Sequence, residues 1–267
     1  LGQGTIYPDT IESGGTANAD VIKTHHNRVP GIQRLLAAGR IIEPLTSFYK
    51  DEVREVGREL GLPEQLLARH PFPGPGLAIR CLASESTLPV ERVAGGWVIP
   101  VRSVGVQGDS RSYRHVLALE AFPSRQADLQ ARATEMINGT AGVNRAVALV
   151  ASHAPIDQFS VRQSTLSADR LARLRRADAI VRGVIAASGF ESQVWQFPVV
   201  LIPVGQPSRP DSVVLRPVDS VDGMTAQSVA MEDGLLKDLA AELLQVPGVA
   251  AVFYDLTHKP PGTIEWE

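Results

Sequence analysis

The 267-residue sequence is poor in cysteine, in aromatic residues and in long apolar runs, and each shortage excludes a class of protein. Its single cysteine, Cys81, can form neither an internal disulfide nor a thiolate metal site by itself, so we expect a reducing cytoplasmic environment. No apolar run approaches the roughly 20 residues that span a bilayer, and the first residues lack the charged-then-apolar pattern of a leader. We therefore expect neither a membrane protein nor a secreted one.

The charge balance argues against a nucleic-acid binder. The chain has 26 Lys and Arg against 29 Asp and Glu, a net charge of −3, whereas proteins that wrap nucleic acid present a broad basic face. With 44% hydrophobic and 21% charged residues, the composition is that of a globular protein large enough for two domains. The sequence opens at Leu1 without an initiator methionine, and we expect it to be a fragment.

The first 80 residues carry helical and loop signals. Apolar residues at helical spacing between Phe48 and Leu60 predict an amphipathic helix that ends at Gly61. Residues 70–76, HPFPGPG, hold three prolines and two glycines, which predicts a rigid loop and a domain joint. We expect one domain over residues 1–80 and another over 81–267.

Two stretches of the second domain repeat the same order of elements. Residues 97–152 and 194–257 each contain two strand-like runs, a helical segment and a third strand-like run, which predicts a duplicated β-β-α-β unit. Between them, an apolar stripe predicts one amphipathic helix over 167–189, with Ser167 as its N-cap and Gly189 as its stop.

The segment KTHHN places Lys23 two residues before His25 and His26. Adjacent histidines on a helix point about 100° apart, so the pair does not match the zinc-binding spacing. One interpretation is a mobile loop that carries a cation and two proton-transfer groups over a pocket. The other, which spacing alone favours, is a plain polar loop.

Asp9 and Glu12 stand three residues apart, on one face of a helix that starts at Pro8. Such paired carboxylates can hold magnesium on a polyphosphate. Spacing alone favours the simpler interpretation, in which acidic residues at a helix N-terminus complement its dipole.

The segment GVQGDSRSY combines Asp109 and Arg111 with two glycines. An acid and a base in one turn suit a ribose hydroxyl and a phosphate. A hairpin turn with a surface ion pair explains the same residues equally well.

The end of the chain, residues 258–267, is unlike a disordered terminus. A stiff Pro-Pro-Gly corner precedes Ile264 and Trp266, so we expect the end to be docked. Docking would hold Lys259 and Glu265 in place, as a ligand site requires. A tail that only covers apolar surface would explain Trp266 but not the fixed Lys and Glu.

Taken in order, these motifs resemble the C-terminal part of glutamine-hydrolysing GMP synthases, along essentially the whole chain. The most specific strings are HPFPGPGLAIR and KPPGTIEWE. They are accompanied by LGQGTIYPDTIES, IKTHHN, FYKDEVREVGRELGLP, VGVQGDSRSY, LRRADAIVR and QFPVVLIP.

The resemblance implies an α/β and α+β fold: the tail of a Rossmann-like ATP pyrophosphatase domain, followed by a duplicated β-β-α-β dimerisation domain that is compatible with a homodimer. In this family a glutaminase domain releases ammonia, ATP adenylates the xanthine 2-oxygen of XMP, and ammonia displaces AMP to give GMP. The family's SGGxDS-type phosphate loop is not among the 267 residues. We therefore expect this chain alone to be inactive.

The resemblance also implies roles for individual residues. By matching position, the XMP contacts are Asp109, Gln196, Lys259 and Glu265, with Arg111, Pro73 and Gly74 lining the nucleotide. Lys259 and Arg111 suit the 5′-phosphate. Asp9 and Glu12 resemble acids required for adenylation with ATP and Mg²⁺, near the ion or in an orienting role, and Lys23, His25 and His26 lie on a lid over ATP and XMP.

Two positions depart from the family pattern. Gly223 stands where phenylalanine is expected, and His258 stands where serine is expected before Lys259. We expect His258 to alter nucleotide affinity around neutral pH. The alternative function is a non-catalytic dimerisation or purine-sensing module, but the retained charged residues argue against it.

Overall fold

A computed structural model describes most of the chain and divides it into two units, Leu1–Arg69 and His70–Glu267. The described residues are 1–12, 29–67, 76–107, 110–119, 126–220 and 225–267. None of the described helices is both long and apolar enough to cross a membrane.

The described part of the first unit contains four helices and a β-bridge between Gly2 and Ile42. Its helices are α1 (Tyr7–Glu12), α2 (Pro30–Ala37), α3 (Lys50–Glu59) and α4 (Glu64–Leu67). At the start of α3, the backbone N–H of Tyr49 donates to Glu52 Oε2 over 2.6 Å. The predicted stop is confirmed, because α3 ends just before Gly61, whose φ of 73° is in the left-handed region that favours glycine.

The second unit is a mixed α/β structure, as the sequence predicts. Its strands are β1 (Leu88–Pro89), β2 (Glu91–Val93), β3 (Gly96–Gln107), β4 (Ser110–Leu119), β5 (Val143–Ser152), β6 (Ser160–Val161), β7 (Val199–Ile202), β8 (Val204–Gly205), β9 (Asp211–Leu215), β10 (Val218–Asp219), β11 (Gln227–Ser228) and β12 (Val249–Asp255). Its α-helices are α5 (Gln126–Gly139), α6 (Ala168–Ser188) and α7 (Asp233–Leu243).

Seven strands form the main sheet, in the order β2-β3-β4-β5-β12-β9-β7. In one half, β3 and β4 are antiparallel and β4 and β5 are parallel. In the other half, β7 and β9 are antiparallel and β9 and β12 are parallel. The halves meet where β5 and β12 pair antiparallel, so both are arranged alike around that central pair. That they are copies of one unit stays a prediction.

The apolar run 196–204 does not form one continuous strand. Strand β7 ends at Ile202, and after Pro203 the chain enters β8, which belongs to a separate sheet of order β1-β6-β8. Proline has no N–H for the ladder and interrupts interior strands. The interruption moves the chain from one sheet to the other.

The core lies on both faces of the main sheet. On β4, Leu117 packs with the apolar residues of α5, α6 and α7, whereas its neighbours Val116 and Ala118 pack on the opposite face. That second face is covered by the small sheet and by Trp266 near the chain end. The sheet is therefore buried on both sides, and the end of the chain is part of its core.

Helix α6 has the predicted limits. The hydroxyl of Ser167 accepts the N–H of Arg170 over 3.3 Å, and Gly189 ends the helix with a φ of 74°. Its buried row differs from the predicted stripe, because it includes Ala177 and also Arg170, which pairs with Asp211. Leu171 and Val184 are only partly buried.

Candidate functional site

The last residues of the chain lie along strand β3. The N–H of Val104 donates to the carbonyl of Trp266 over 2.9 Å, and the N–H of Val106 donates to that of Pro261 over 2.7 Å. Between them, a Cβ on Gly105 would lie only 2.6 Å from the Pro261 oxygen, so this approach requires glycine. The side chain of Trp266 is buried, with 1% exposure. The expectation of a docked chain end is confirmed.

The same segment is held on its other side by the β10–β11 hairpin. Ala226 and Lys259 exchange backbone hydrogen bonds, over 2.8 Å from the Lys259 N–H and 3.2 Å from the Ala226 N–H. Within the corner, the N–H of Gly262 donates to the carbonyl of His258 over 3.1 Å. The backbone that carries Lys259 is thereby fixed to the sheet unit.

Three fully buried charged side chains lie under this segment. Asp255, at the end of β12, accepts from Arg145 Nη1 over 2.8 Å and contacts Arg216 Nη1 at 2.9 Å, all with 0% exposure. Its second oxygen accepts the N–H of Thr257 over 2.9 Å. One carboxylate against two guanidinium groups leaves a net positive charge in the interior.

Carbonyl groups of the chain end surround that excess charge. Arg216 donates from Nε to Ile264 (2.8 Å), from Nη1 to Thr257 (3.0 Å) and from Nη2 to Thr263 (2.7 Å). Arg145 Nη2 donates to the carbonyls of Thr263 and Glu265, each over 3.1 Å, and to that of Val104 over 2.9 Å. Buried charges require such partners, because burial removes their hydration.

The indole of Trp266 completes the cluster. Its Nε1–H donates to Asp255 Oδ2 over 2.8 Å, and the Arg145 guanidinium stacks 4.8 Å from the ring centroid. We call Arg145, Arg216, Asp255 and Trp266 the tail anchor. It fixes the chain end by hydrogen bonds, by burial and by a cation–π contact.

Opposing effects set the ionisation of the anchor. Burial acts to raise the pKa of Asp255, but the charges of Arg216 and Arg145 and the hydrogen bonds from Thr257 outweigh it, so the pKa is lowered. Burial lowers the pKa of Arg216 to about 10, even though Asp255 opposes the change. Asp255 and Arg216 are therefore ionised at neutral pH, and burial also lowers the pKa of Arg145 while Asp255 opposes the change.

His258 stands next to Lys259 and faces the anchor. Its Nδ1 accepts the N–H of Ser228 over 3.3 Å, so a neutral ring carries its proton on Nε2. Burial lowers its pKa, the charge of Arg216 lowers it further, and Asp255 opposes both. The imidazole is thus neutral at neutral pH. We therefore expect the effect of His258 protonation on nucleotide affinity at a pH below neutral.

Two of the predicted site residues act on each other electrostatically. Arg111, on β4, lies opposite Val106, whose N–H binds the chain end. Burial raises the pKa of Glu265, and the charge of Arg111 opposes this. The fold thus brings Arg111 and Glu265, which are 154 positions apart in the sequence, into one electrostatic environment.

The backbone of Gln196 pairs with strand β10 of the β10–β11 hairpin. It exchanges backbone hydrogen bonds with Val218, whose strand β10 pairs with the β11 strand that carries Ser228. The side chain is 3% exposed, and its Oε1 has no hydrogen-bond partner among the described residues. A buried acceptor without a partner suits a ligand donor.

The first unit shows only part of the predicted acidic pair. Asp9 Oδ2 accepts the N–H of Ile6 over 3.0 Å at the start of α1, so this acid lies in the first turn of the helix. The backbone of Glu12 ends α1, and its side chain lies outside the described residues. The described part of the chain contains no group of three His, Cys, Asp or Glu that could hold a metal ion.

Several predicted residues lie outside the described residues, and their roles stay predictions. They are Lys23, His25 and His26 of the lid, Pro73 and Gly74 of the loop, Asp109, and Gly223.

The sequence reasoning missed the charged members of the tail anchor. Arg145, Arg216 and Asp255 each lie within or beside an apolar run, namely VNRAVALV, SVVLRPV and VAAVFYDL. A charged residue in a strand that is buried on both faces needs a buried partner. That signal was present, but it could not identify the partners.

The sequence comparisons agree with the resemblance. Residues 183–266 match the family described as GMP synthase C-terminal domain. A probable glutamine-hydrolysing GMP synthase from Leptospira interrogans is 43% identical over 281 residues, and the match covers all of this chain and 46% of the relative. Similar relatives from Caenorhabditis elegans (32%, 48% of the relative) and Nocardia farcinica (34%, 37%) also align with the whole chain.

The chain spans less than half the length of each of these curated relatives. The matched family covers the second half of the sheet, the anchor residues Arg216 and Asp255, and the docked chain end. Residues 183–266 match the GMP synthase C-terminal domain family, and the chain is similar along its whole length to the C-terminal part of glutamine-hydrolysing GMP synthases.

Proposed function

We propose that the docked chain end binds XMP and that this chain is the nucleotide-binding part of an enzyme that aminates XMP to GMP. The supporting observation is the tail anchor, which fixes the backbone on both sides of Lys259 and Glu265. Both side chains are only partly buried, so they are accessible to a ligand while hydrogen bonds hold the backbone around them. Immobile backbone with accessible charge is what a specific site requires.

The charges suit a nucleoside monophosphate. Lys259 and Arg111 provide two cations for the 5′-phosphate, and the buried excess charge of Arg145 and Arg216 favours an anion nearby. The Glu265 carboxylate can accept ring N–H groups of xanthine. Gln196, Asp109, Pro73 and Gly74 would complete the nucleotide contacts.

In the complete enzyme, ATP supplies the adenylate that makes the xanthine 2-oxygen a leaving group, and ammonia from a glutaminase domain or subunit replaces it. Lys23, His25 and His26 would close over the nucleotides, and Asp9 and Glu12 would serve adenylation. The described residues contain no group of three His, Cys, Asp or Glu that could hold a metal ion, but magnesium on ATP needs only one or two protein carboxylates beside the phosphates, a role that Asp9 and Glu12 would fill.

The sheet unit would pair two subunits, and the enzyme would act in the cytoplasm, a proposal that the single cysteine of the sequence supports. Because the 267 residues do not include an SGGxDS-type loop, the chain by itself should not release AMP from ATP in the presence of XMP. Measurable XMP-dependent AMP release by the purified chain would contradict that part of the proposal.

Calorimetric titration with XMP tests the binding site, with AMP as the ligand control. The wild-type chain should bind XMP saturably, and Lys259→Ala should weaken binding by about tenfold or more, as expected for loss of a charged hydrogen bond. Lys237→Ala, on an exposed face of α7, removes the same charge elsewhere and should bind like wild type.

Two outcomes would overturn the proposal. If the folded wild-type chain does not bind XMP, a pairing module without a nucleotide site is the better explanation. If Lys259→Ala and Lys237→Ala weaken binding equally, general electrostatic attraction rather than a built site explains it.

A further inference from the structure

One guanidinium group contacts both ends of the segment that carries the proposed ligand residues. Arg216 donates to the carbonyls of Thr257, Thr263 and Ile264, within 2.7–3.0 Å. Thr257 lies two residues before Lys259, and Ile264 lies immediately before Glu265. The three acceptors therefore bracket the corner from which both charged side chains project.

The shape of the side chain matters for this contact. Arginine offers five N–H donors in a rigid planar fork, whereas lysine offers three donors from a single, strongly hydrated nitrogen. All three nitrogens of Arg216 are used, each toward a different carbonyl. A lysine at this position would keep the charge but could not keep the spacing of the three acceptors.

Arg145 makes a different set of contacts. Its Nη2 donates to the carbonyls of Val104 and Glu265, so it ties the end of the segment to strand β3. Its described hydrogen bonds do not include one to Thr257 at the beginning of the segment, and its Nη1 donates to Asp255 instead. Of the two arginines in the tail anchor, only Arg216 donates hydrogen bonds to both ends of the corner in the described structure.

We infer that Arg216 is a positioning residue for the proposed XMP site, which sets the distance between Lys259 and Glu265 through their backbone. This inference rests on the proposed function and extends it. Arg216 does not touch the nucleotide, since its side chain has 0% exposure. It acts by holding the two groups that do.

The chain offers a matched control in Arg170. It is also a buried arginine paired with a buried aspartate, Asp211, and its other described side-chain contact is with the carbonyl of Thr165. It does not contact residues 257–265 in the described structure. A lysine there should lower stability without changing the chain end.

The test compares Arg216→Lys with Arg170→Lys in the 267-residue chain, by XMP calorimetry and by amide hydrogen exchange of residues 258–266 without ligand. We expect Arg216→Lys to raise the Kd for XMP about tenfold or more and to speed exchange of this segment, as misplacement of ligand groups predicts. In Arg170→Lys, the Kd for XMP and the exchange rates of residues 258–266 should both stay within about twofold of the wild-type values.

Trp266→Phe is the milder variant if Arg216→Lys does not fold. It removes the hydrogen bond to Asp255 and keeps an aromatic ring, so exchange of residues 258–266 should again be faster and XMP binding weaker. Wild-type values for both measurements in this variant would overturn the inference.

The outcomes separate the two claims. If wild type binds XMP and Arg216→Lys binds it equally well, the positioning role is wrong and the proposed function stands. If Arg170→Lys loses as much affinity as Arg216→Lys, lost stability explains both, and the inference is wrong. If folded wild type does not bind XMP, the proposed function and the inference are both overturned.

Discussion

The indole N–H of Trp266, the penultimate residue of the chain, donates to Asp255 Oδ2 over 2.8 Å. The same oxygen lies 2.8 Å from Arg145 Nη1 and 2.9 Å from Arg216 Nη1. Since Asp255 ends β12, one of the two central strands of the sheet, this oxygen connects the chain end to the middle of the core. Stability and the proposed site therefore depend on the same carboxylate.

Replacing Asp255 with asparagine should destabilise the fold severely. The substitution would leave Arg145 and Arg216 fully buried without a counter-charge, and the loss of one partner of a buried ion pair costs about 3–5 kcal/mol. Urea unfolding at neutral pH measures the change. Asp238→Asn, on an exposed position of α7, is the control and should change stability by no more than about 0.5 kcal/mol.

The difference in stability between wild type and Asp255→Asn should depend on pH. Because the pKa of Asp255 is lowered in the fold, its contribution to stability is complete above the ordinary carboxyl pKa of about 3.9 and is lost as pH falls below it. The gap in stability between wild type and Asp255→Asn should narrow in acid. A small difference in unfolding free energy at neutral pH would contradict the stabilising role of Asp255 in the tail anchor.

Gly105→Ala should detach the chain end from β3. The added methyl would lie 2.6 Å from the Pro261 oxygen and 2.7 Å from Asn144 Nδ2, closer than a Cβ is normally found, so the segment must shift. Overpacking of this kind costs about 1–3 kcal/mol. Urea unfolding and tryptophan fluorescence would report the loss of stability and the exposure of Trp266.

Gly183→Ala should stabilise the protein, in contrast to Gly105→Ala. Gly183 lies within α6, where a Cβ would meet nothing within 4 Å. Alanine there should stabilise the protein by about 0.5–1 kcal/mol, because it restricts the unfolded chain and favours helix. If both alanine variants behaved alike, the close approach at Gly105 would not be the cause.

Local signals explain the parts of the fold that the sequence predicts well. The helix limits at Gly61, Ser167 and Gly189 follow from capping and left-handed glycine, which involve only neighbouring residues. The docked chain end follows from stiff prolines and a terminal tryptophan. The end of β7 before Pro203 also has a local cause, because proline lacks an N–H for the ladder. That the next strand, β8, joins the three-stranded sheet depends on β6, which is distant in the sequence.

The anchor could not be predicted in the same way. Arg145 and Asp255 are 110 positions apart, and they meet only because β5 and β12 pair at the centre of the sheet. A sequence shows that a charged residue interrupts an apolar strand, but strand order decides which opposite charge it meets. Arg170 is the same case, because its buried position on α6 depends on Asp211 in a distant strand.

Arg111→Gln should raise the pKa of Glu265. Burial already raises it, and the positive charge of Arg111 is the effect that opposes burial. Carboxyl-carbon NMR titration of Glu265 measures the shift. Arg114→Gln removes an exposed charge from the same strand and is the control. An unchanged Glu265 titration in Arg111→Gln would show that the two side chains are not coupled.

His258→Ser should make the stability of the fold less dependent on pH in mild acid. The folded pKa of His258 is below its ordinary value of 6.5, because burial and Arg216 disfavour the charged ring. The unfolded chain therefore binds more protons as pH falls through 6.5, so stability is complete above that pH and is lost below it. Protonation also removes the acceptor for the Ser228 N–H.

Urea midpoints between about pH 5 and pH 7 should fall more steeply for wild type than for His258→Ser. The XMP affinity of the two proteins should run parallel above pH 6.5 and separate below it, because only the protonated ring adds charge beside Lys259. Identical pH dependence of both quantities in the two proteins would contradict the assignment. His258 would then have no part in the acid response of the chain end.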